Sequence, residues 1–490
     1  MDSENKEFTG LRAVLWPIHS FELKKFLPMA IMMMGILFNY SILRGIKDTL
    51  VVNNLGAEMI PTLKLYFVLP SAILFMLLYS KLVNMLSRDG VFYTIVSTFV
   101  VYFAVIGGIF QFSDPELYHT KFHCPFAPLQ SVVDACGAWI YSSFYVMAEL
   151  WGSTMISLMF WKFANDVTSV KESKRFYAMF GFVANGALII SGMVLKSAES
   201  ASNTGKAWEA LPGIVSTVIL SSVIIMALYW WLNNRVLKDP RFFNKDEIKP
   251  KKKKEKLGVM DSFKYIFTSK YLGFIALLVI GYGISINLVE VMWKKQVLIM
   301  CNGNKDLFAH FMGGLQIWTG IFTILCMLVG ANILRRCSWF VGAMITPIMI
   351  LVTGLIFFAF IIFKDSVDAY LMPLGVASVV ITSWVGLAQN VLSKGTKYSL
   401  FDPTKEMTYI PLDGELKSKG KAAVDVVGGR LGKSGGAFIN YILLASTGLS
   451  LVELAPAITI IFVIIMIIWF CSVKGLNTQF TALTKAKENQ

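Results

Sequence analysis

The chain has 490 residues, of which 56% are hydrophobic and 16% charged, with a formal net charge of +14. Soluble domains carry about 25% charged residues, so a soluble fold of this length is excluded and a polytopic membrane protein is expected. The basic excess does not point to nucleic acid, because the lysines line membrane-proximal loops and no RNA- or DNA-binding motif accompanies them.

Apolar stretches long enough to cross about 30 Å of hydrocarbon as helices recur at 27–46, 62–84, 91–112, 138–163, 177–196, 213–232, 271–293, 311–334, 340–363, 369–392, 431–449 and 455–473. The expected class is an all-α polytopic membrane protein of twelve spans. Six-helix halves are expected at 27–232 and 271–473, with a segment 1–26 before them, a basic linker 233–270 between them and a tail 474–490 after them. With the N-terminus inside, most of the 45 Lys and Arg fall in inner segments, the bias that places both termini in the cytoplasm. The run KPKKKKEK at 249–256 reads as part of the linker. Its role is either topology and contact with lipid headgroups or a partner site, and solvated charge runs favour the first.

Residues 1–26 hold Asp2, Glu4, Glu7 and Glu22 and no long apolar run, so neither a cleavable signal nor an acid-poor transit peptide is expected. A bacterial plasma membrane fits that reading. Six cysteines are scattered without metal-ligand spacing, so no metal or redox cofactor is expected. Cys124 and Cys136 share one outer loop and are compatible with a disulfide in an oxidising compartment.

Charges inside the apolar runs carry the functional signal. Glu149 lies mid-run in 138–163, where a carboxylate costs roughly 3 kcal/mol even on a mild insertion scale. Helical spacing puts Ser142, Tyr145, Glu149 and Ser153 on one stripe, which either lines a wet cavity or ties neighbouring helices together. In the first span, FNYSILRGIKDTLVV aligns Tyr40, Arg44, Lys47 and Asp48; in the seventh, GYGISINLVEVMWKK aligns Asn287, Glu290 and Lys294. Lys47, Lys294 and Lys295 are long enough to snorkel to the interface, a reading that suits Arg44 and Glu290 less well. Mixed charge at matching depth in the first helix of each half is the pattern of two repeats enclosing a central site.

The segment GGRLGKSGG at 428–436 is not a phosphate-binding P-loop, because position 427 is Val where that motif needs Gly. Its Arg430 and Lys433 sit among glycines at a helix start, which suits either an anion at exposed N–H groups or a close helix contact. Four histidines, none deep in a span, assemble no catalytic or metal set, so an enzyme is not expected. A membrane-embedded transferase and a passive channel are the competing classes. The first lacks an activated nucleophile and the second has no need of paired charges in both halves.

At these residues the chain resembles the nucleotide transporter family of obligate intracellular bacteria and plastids, the ATP/ADP translocases. The resemblance rests on FNYSILRGIKDTLVV, AELWGSTMISLMFWKFAN, KRFYAMFGFVANGAL, YGISINLVEVMWKK, KYSLFDPTKEMTYIPLD and KGKAAVDVVGGRLGKSGG, and runs from about Phe21 to Lys474. It implies a major-facilitator-like fold in a 6+6 arrangement, and exchange of external ATP for internal ADP by alternating access. It also implies nucleotide-handling charges, which fall here on Lys47, Glu149, Glu290 and Lys433. Where many relatives read RDTKD this chain reads RGIKD, so Gly45 replaces an acid. Relatives carry other nucleotides, which leaves GTP, UTP or CTP as the alternative cargo.

Excess positive charge is what a polyphosphate needs, and Arg44, Lys47, Lys294, Lys295, Arg430 and Lys433 are its candidate donors, with Glu149 and Glu290 as their partners in the empty carrier. Tyr145, Trp151 and Phe144 are candidates for stacking the base, against the alternative that in a chain with 13% aromatic residues most rings face lipid or pack the core. ATP and ADP as substrates, membrane lipids as neighbours and a monomer complete the expectation.

Overall fold

The computed structural model describes residues 12, 16–113, 115–126, 129–168, 170–201, 211–242, 269–412, 424 and 428–488. Residues 1–11, the basic run 249–256 and, of the KSKGKAAVD stretch, all but Val424 lie outside them. Among the described residues there are helices and no strands, as a chain in hydrocarbon must satisfy its backbone within each segment.

In chain order the helices are α1 (Leu23–Leu55), α2 (Met59–Met85), α3 (Arg88–Phe112), α4 (Gln130–Gly137), α5 (139–167), α6 (Val170–Ala201) and α7 (Leu211–Val236). There follow α8 (Lys270–Met300), α9 (Lys305–Arg336), α10 (Trp339–Ile362), α11 (Lys364–Leu374), α12 (Ser378–Thr408), α13 (Gly429–Thr447) and α14 (Ala455–Glu488). Within the described residues, α1–α3, α6–α10 and α14 are long and apolar enough to cross a membrane, and α11 with α12 forms a pair bent by 110°. The remaining expected crossings, 138–163 and 431–449, are helical as α5 and α13, made more polar by Glu149 and by the Arg430–Lys433 segment. In the expected twelve-span arrangement the start of α1 and the end of α14 fall on one face, the terminal face, and the α1–α2, α8–α9 and α13–α14 connections on the other, the far face.

The stretch 369–392, expected as one span, is corrected by the structure. Pro373 lies in a short 3-10 turn and Gly375 adopts φ 77°, so the chain turns there, a conformation that glycine adopts without strain. The backbone N–H of Ser378 then donates to Asp368 Oδ1 at 2.7 Å, fixing the start of α12. As a result the crossing runs later in sequence, and Lys394 falls inside it. Serine caps open α3 and α10 at corresponding places: Ser87 accepts from the Gly90 N–H and Ser338 from the Val341 N–H.

Two apolar clusters organise the bundle. One joins α1, α3, α5, α6 and α7 around Phe26, Phe99, Trp151, Phe180 and Tyr229. The other joins α8, α10, α12 and α14 around Trp293, Phe357, Phe401 and Trp469, and also takes in Val51, Ile60 and Tyr145 from the first group. Ile73, Leu74 and Leu77 on α2 and Ile460, Ile464 and Ile467 on α14 point outward and are exposed, an apolar surface suited to lipid. Since lipid supplies little apolar driving force between helices, close contact needs small residues. Gly283 of α8 meets Gly432 of α13 so closely that a Cβ would come within 2.7 Å of the Gly432 Cα, and Gly192 of α6 meets Gly313 of α9 in the same way. Of the glycines of 428–436, Gly432, Gly435 and Gly436 are thus used for contact with α8.

Among the described residues, π segments lie within four of these helices: Leu63–Val68 in α2, Gly152–Phe160 in α5, Leu232–Val236 in α7 and Lys397–Phe401 in α12. Such widened turns tend to gather at functional sites. Those of α2, α5 and α12 lie at or beside Lys64, Glu149 and Lys394.

Candidate functional site

The face of α1 that carries Tyr40, Arg44, Lys47 and Asp48 meets the face of α8 that carries Asn287, Glu290 and Lys294, in the far-face half of both helices. Arg44 pairs with Glu290 at 2.5 Å and Lys294 with Asp48 at 2.8 Å, so two ion pairs cross from the first group of helices to the second. Asp48 has no exposed surface and holds Lys47 as well, at 2.9 Å. Lys294 also reaches Glu290, one turn back on its own helix, at 3.5 Å. A buried ion costs several kcal/mol unless paired, and the shared carboxylates spread that cost over the network. Nearer the rim, Lys295 pairs with Glu58 at 2.5 Å, a third link between the groups.

From α5, Glu149 accepts Lys47 at 3.0 Å, while the Tyr145 ring lies under the same ammonium at 3.9 Å, a cation–π contact. Tyr40 packs over Gly152, where a Cβ would come within 2.4 Å of its ring, so the glycine that opens the π segment lets α5 close on α1. The Lys64 ammonium, from α2, donates to Asn287 Oδ1 at 2.5 Å, and Asn287 in turn donates to the Gly283 carbonyl.

Several expectations change on contact with this geometry. Lys47 and Lys294 do not snorkel; both are almost wholly buried in ion pairs. The four-residue stripe of α5 divides: Ser142 bonds the Ala135 carbonyl and Ser153 the Leu150 carbonyl, leaving Tyr145 and Glu149 for the charge network. Trp151 and Phe144 are fully buried, the first donating to the Ile36 carbonyl and the second against Phe103, so neither presents a face for stacking a base. Tyr145 is equally buried and gives its ring to Lys47. Lys433 is exposed and lies within electrostatic reach of Glu149. Arg430 is half-buried and none of the site carboxylates acts on it, so the network does not include it. Gly45 has a packing reason: a Cβ there would meet Leu195 Cδ1 of α6 at 2.5 Å. All six cysteines are thiols, including Cys124 and Cys136, and no metal-ligating group of His, Cys, Asp and Glu occurs among the described residues.

Lys64 and Lys394 are members of the site that the sequence reading missed. Lys64 stands in the first turns of its span, where it passes for an interfacial lysine. Lys394 was assigned to an inner loop because the span was started too early. A break read at Met372-Pro373-Leu374-Gly375 would have carried α12 past it.

The bundle, with a charge layer between two groups of helices, shares its fold with solved membrane transporters. The chain superposes on an inward-facing bacterial homologue of the iron transporter ferroportin with a TM-score of 0.58 at 11% identity, covering 92% of this chain and all of that one. A D-xylose–proton symporter gives 0.55 at 11% identity over 92% of this chain and 97% of the other.

Sequence comparison goes further. Residues 1–480 match the family described as TLC ATP/ADP transporter, and the chain belongs to that family. It is 46% identical to "ADP,ATP carrier protein 1" of Chlamydia muridarum (strain MoPn / Nigg), over 99% of this chain and 94% of the relative. It is 45% identical to the protein of the same name from Rickettsia bellii (strain RML369-C), over 98% and 97% respectively.

Proposed function

We propose that the chain is an antiporter that imports ATP in exchange for ADP across a bacterial inner membrane by alternating access, with both termini cytoplasmic. The observation that carries this reading is the charge balance of the layer between the two groups of helices. Arg44, Lys47, Lys64, Lys294, Lys394 and Lys433 face the carboxylates of Asp48, Glu149 and Glu290. Positive charge remains in excess, as a site for a cargo of about three to four negative charges requires. The identity of the relatives and the family supports the nucleotide assignment.

The ion pairs between α1 and α8 close the far face, which under this topology is the external one. Nucleotide phosphates entering from the terminal face compete with Asp48, Glu149 and Glu290 for the same cations. Cargo that satisfies those cations releases the carboxylates that pin the two groups, whereas an empty site keeps them pinned. Loaded carriers then reorient, and exchange follows without net leak.

Vesicles holding the protein should take up labelled ATP faster when preloaded with ADP or ATP. Equal uptake into nucleotide-free vesicles would overturn the antiport reading. Unlabelled GTP, UTP and CTP should compete poorly; strong competition by one of them would move the cargo to that nucleotide. Natural thiols test the orientation. Cys136 and Cys337 are both exposed; on the proposed topology the first is external and the second, at the α9–α10 turn, cytoplasmic, so an impermeant thiol reagent added to intact cells should label the first and spare the second. Labelling of Cys337 from outside would reverse the topology.

A further inference from the structure

Every cation of the α1–α8 network has a carboxylate within ion-pair distance; among the described residues the neighbouring Lys64, Lys394 and Lys433 have none, and of these Lys433 is exposed. Lys394 of α12 is 6% exposed, and its ammonium has no hydrogen-bond partner. Arg44, Glu290, Lys294 and Asp48 are all within its electrostatic reach. Lys64 of α2, half-buried, has among the described residues only the neutral side-chain oxygen of Asn287, and Glu290, Lys294, Glu149 and Lys47 lie within its reach. One belongs to the first group of helices and the other to the second, and both act on Glu290 and Lys294.

A buried ammonium without an anion is costly to keep. Folding alone does not explain it, since an apolar side chain of the same length would fill the space at lower cost. The cost is repaid when an anion arrives. Arg44, Lys47 and Lys294 must first give up a carboxylate to hold phosphate, whereas Lys64 and Lys394 have none to give up.

We propose that Lys394 and Lys64 are the first ligands of the cargo's polyphosphate chain, one from each half, and set the preference for di- and triphosphates over monophosphates. This rests on the nucleotide-exchange reading above and assigns, within that site, which cations receive the terminal phosphates. A diphosphate or triphosphate carries enough charged oxygens to meet one ammonium on α2 and another on α12, whereas a monophosphate brings fewer.

The test uses the full chain, purified in detergent, with Lys394→Met and Lys64→Met. Binding of ATP, ADP, AMP and inorganic triphosphate is measured by calorimetry or by displacement of labelled ATP. Each substitution should raise the ATP and triphosphate Kd by about tenfold or more, the usual loss for a charge-assisted hydrogen bond, and should leave the AMP Kd nearly unchanged. Lys394→Arg, which keeps the charge, should restore most of the ATP affinity. Melting temperature without ligand should hold or rise in Lys394→Met, because an uncompensated charge has been removed, and this separates lost binding from lost folding. Unchanged ATP affinity and an unchanged ATP-to-AMP ratio in Lys394→Met, with the wild type binding ATP, would overturn this assignment alone. A Lys394→Met protein that melts well below the wild type would make Lys394 a structural cation and overturn it too. Failure of the wild type itself to bind ATP would remove the exchange reading and this assignment with it.

Discussion

The α1–α8 seam and the α12–α13 wall hold their cations in opposite ways. Along the seam, Arg44, Lys47, Lys294 and Lys295 each have a carboxylate within 3.0 Å, and Asp48 serves two of them from a site with no exposure. On the wall, Lys394 is buried without a partner, and Lys433 is exposed with no ion pair among the described residues. Charges that are neutralised fasten the two groups of helices, while charges left over are, on the function proposed above, available to cargo. The same residue type therefore does two jobs, decided by whether a carboxylate stands opposite.

The sharpest way to break the comparison is at Asp48. Asp48→Asn leaves the volume nearly unchanged but strands Lys47 against Glu149 alone and deprives Lys294 of its closer partner. Removing one member of a buried ion pair costs about 3–5 kcal/mol. A fall of that size in unfolding free energy, or a large drop in folded yield, is expected in detergent. If Asp48→Asn is as stable as the wild type, the seam does not hold the halves. Next in size is Glu149→Gln, which keeps the shape and leaves Asp48 to neutralise Lys47. Folded yield should be near normal while exchange per folded molecule falls at least about tenfold, the scale of one charge-assisted contact. Normal specific activity would mean that Glu149 only braces α5.

Much of this arrangement is legible in the sequence. Helical spacing alone aligned Arg44, Lys47 and Asp48 on one helix and Asn287, Glu290 and Lys294 on another, and apolar length marked the helices that carry them. Two things were not legible. The bend at Gly375 follows from the positive φ of one residue and the Asp368 cap, and missing it shifted a whole crossing and hid Lys394. The aromatics of α5 also misled, since periodicity gives the face of a helix but not what stands opposite. Phe144 and Trp151 face other helices, and Tyr145 faces a lysine.

A smaller effect sharpens the seam from its packing side. Gly45 lies under Leu195, so Gly45→Ala should cost about 1–3 kcal/mol through overpacking, and Leu195→Ala in the same chain should recover part of it. Loss of exchange without loss of stability in Gly45→Ala would instead tie this position to the cargo. The absence of any rescue by Leu195→Ala would show that the contact is not the cause.

The smallest effect expected is at the rim. Glu58 and Lys295 join the halves like the deeper pairs, but their side chains are 31% and 23% exposed. Pairs in contact with water contribute about 0–1 kcal/mol, so Lys295→Gln should shift the melting temperature little. Because Glu58 belongs to the first group and Lys295 to the second, that energy is present only while the far face is closed. Its loss should therefore favour the opposite conformation by a few-fold at most, read as faster labelling of a cysteine placed at Ser153 by a reagent added from the far face. Salt separates the two depths. With a Debye length of about 8 Å at physiological ionic strength and 3 Å at 1 M, added salt should erase the difference between Lys295→Gln and wild type. The deficit of Asp48→Asn should persist, since water and ions do not reach that carboxylate. A rim effect that survives 1 M salt would place Lys295 in the same dry network as Lys294 and remove the distinction between seam and rim.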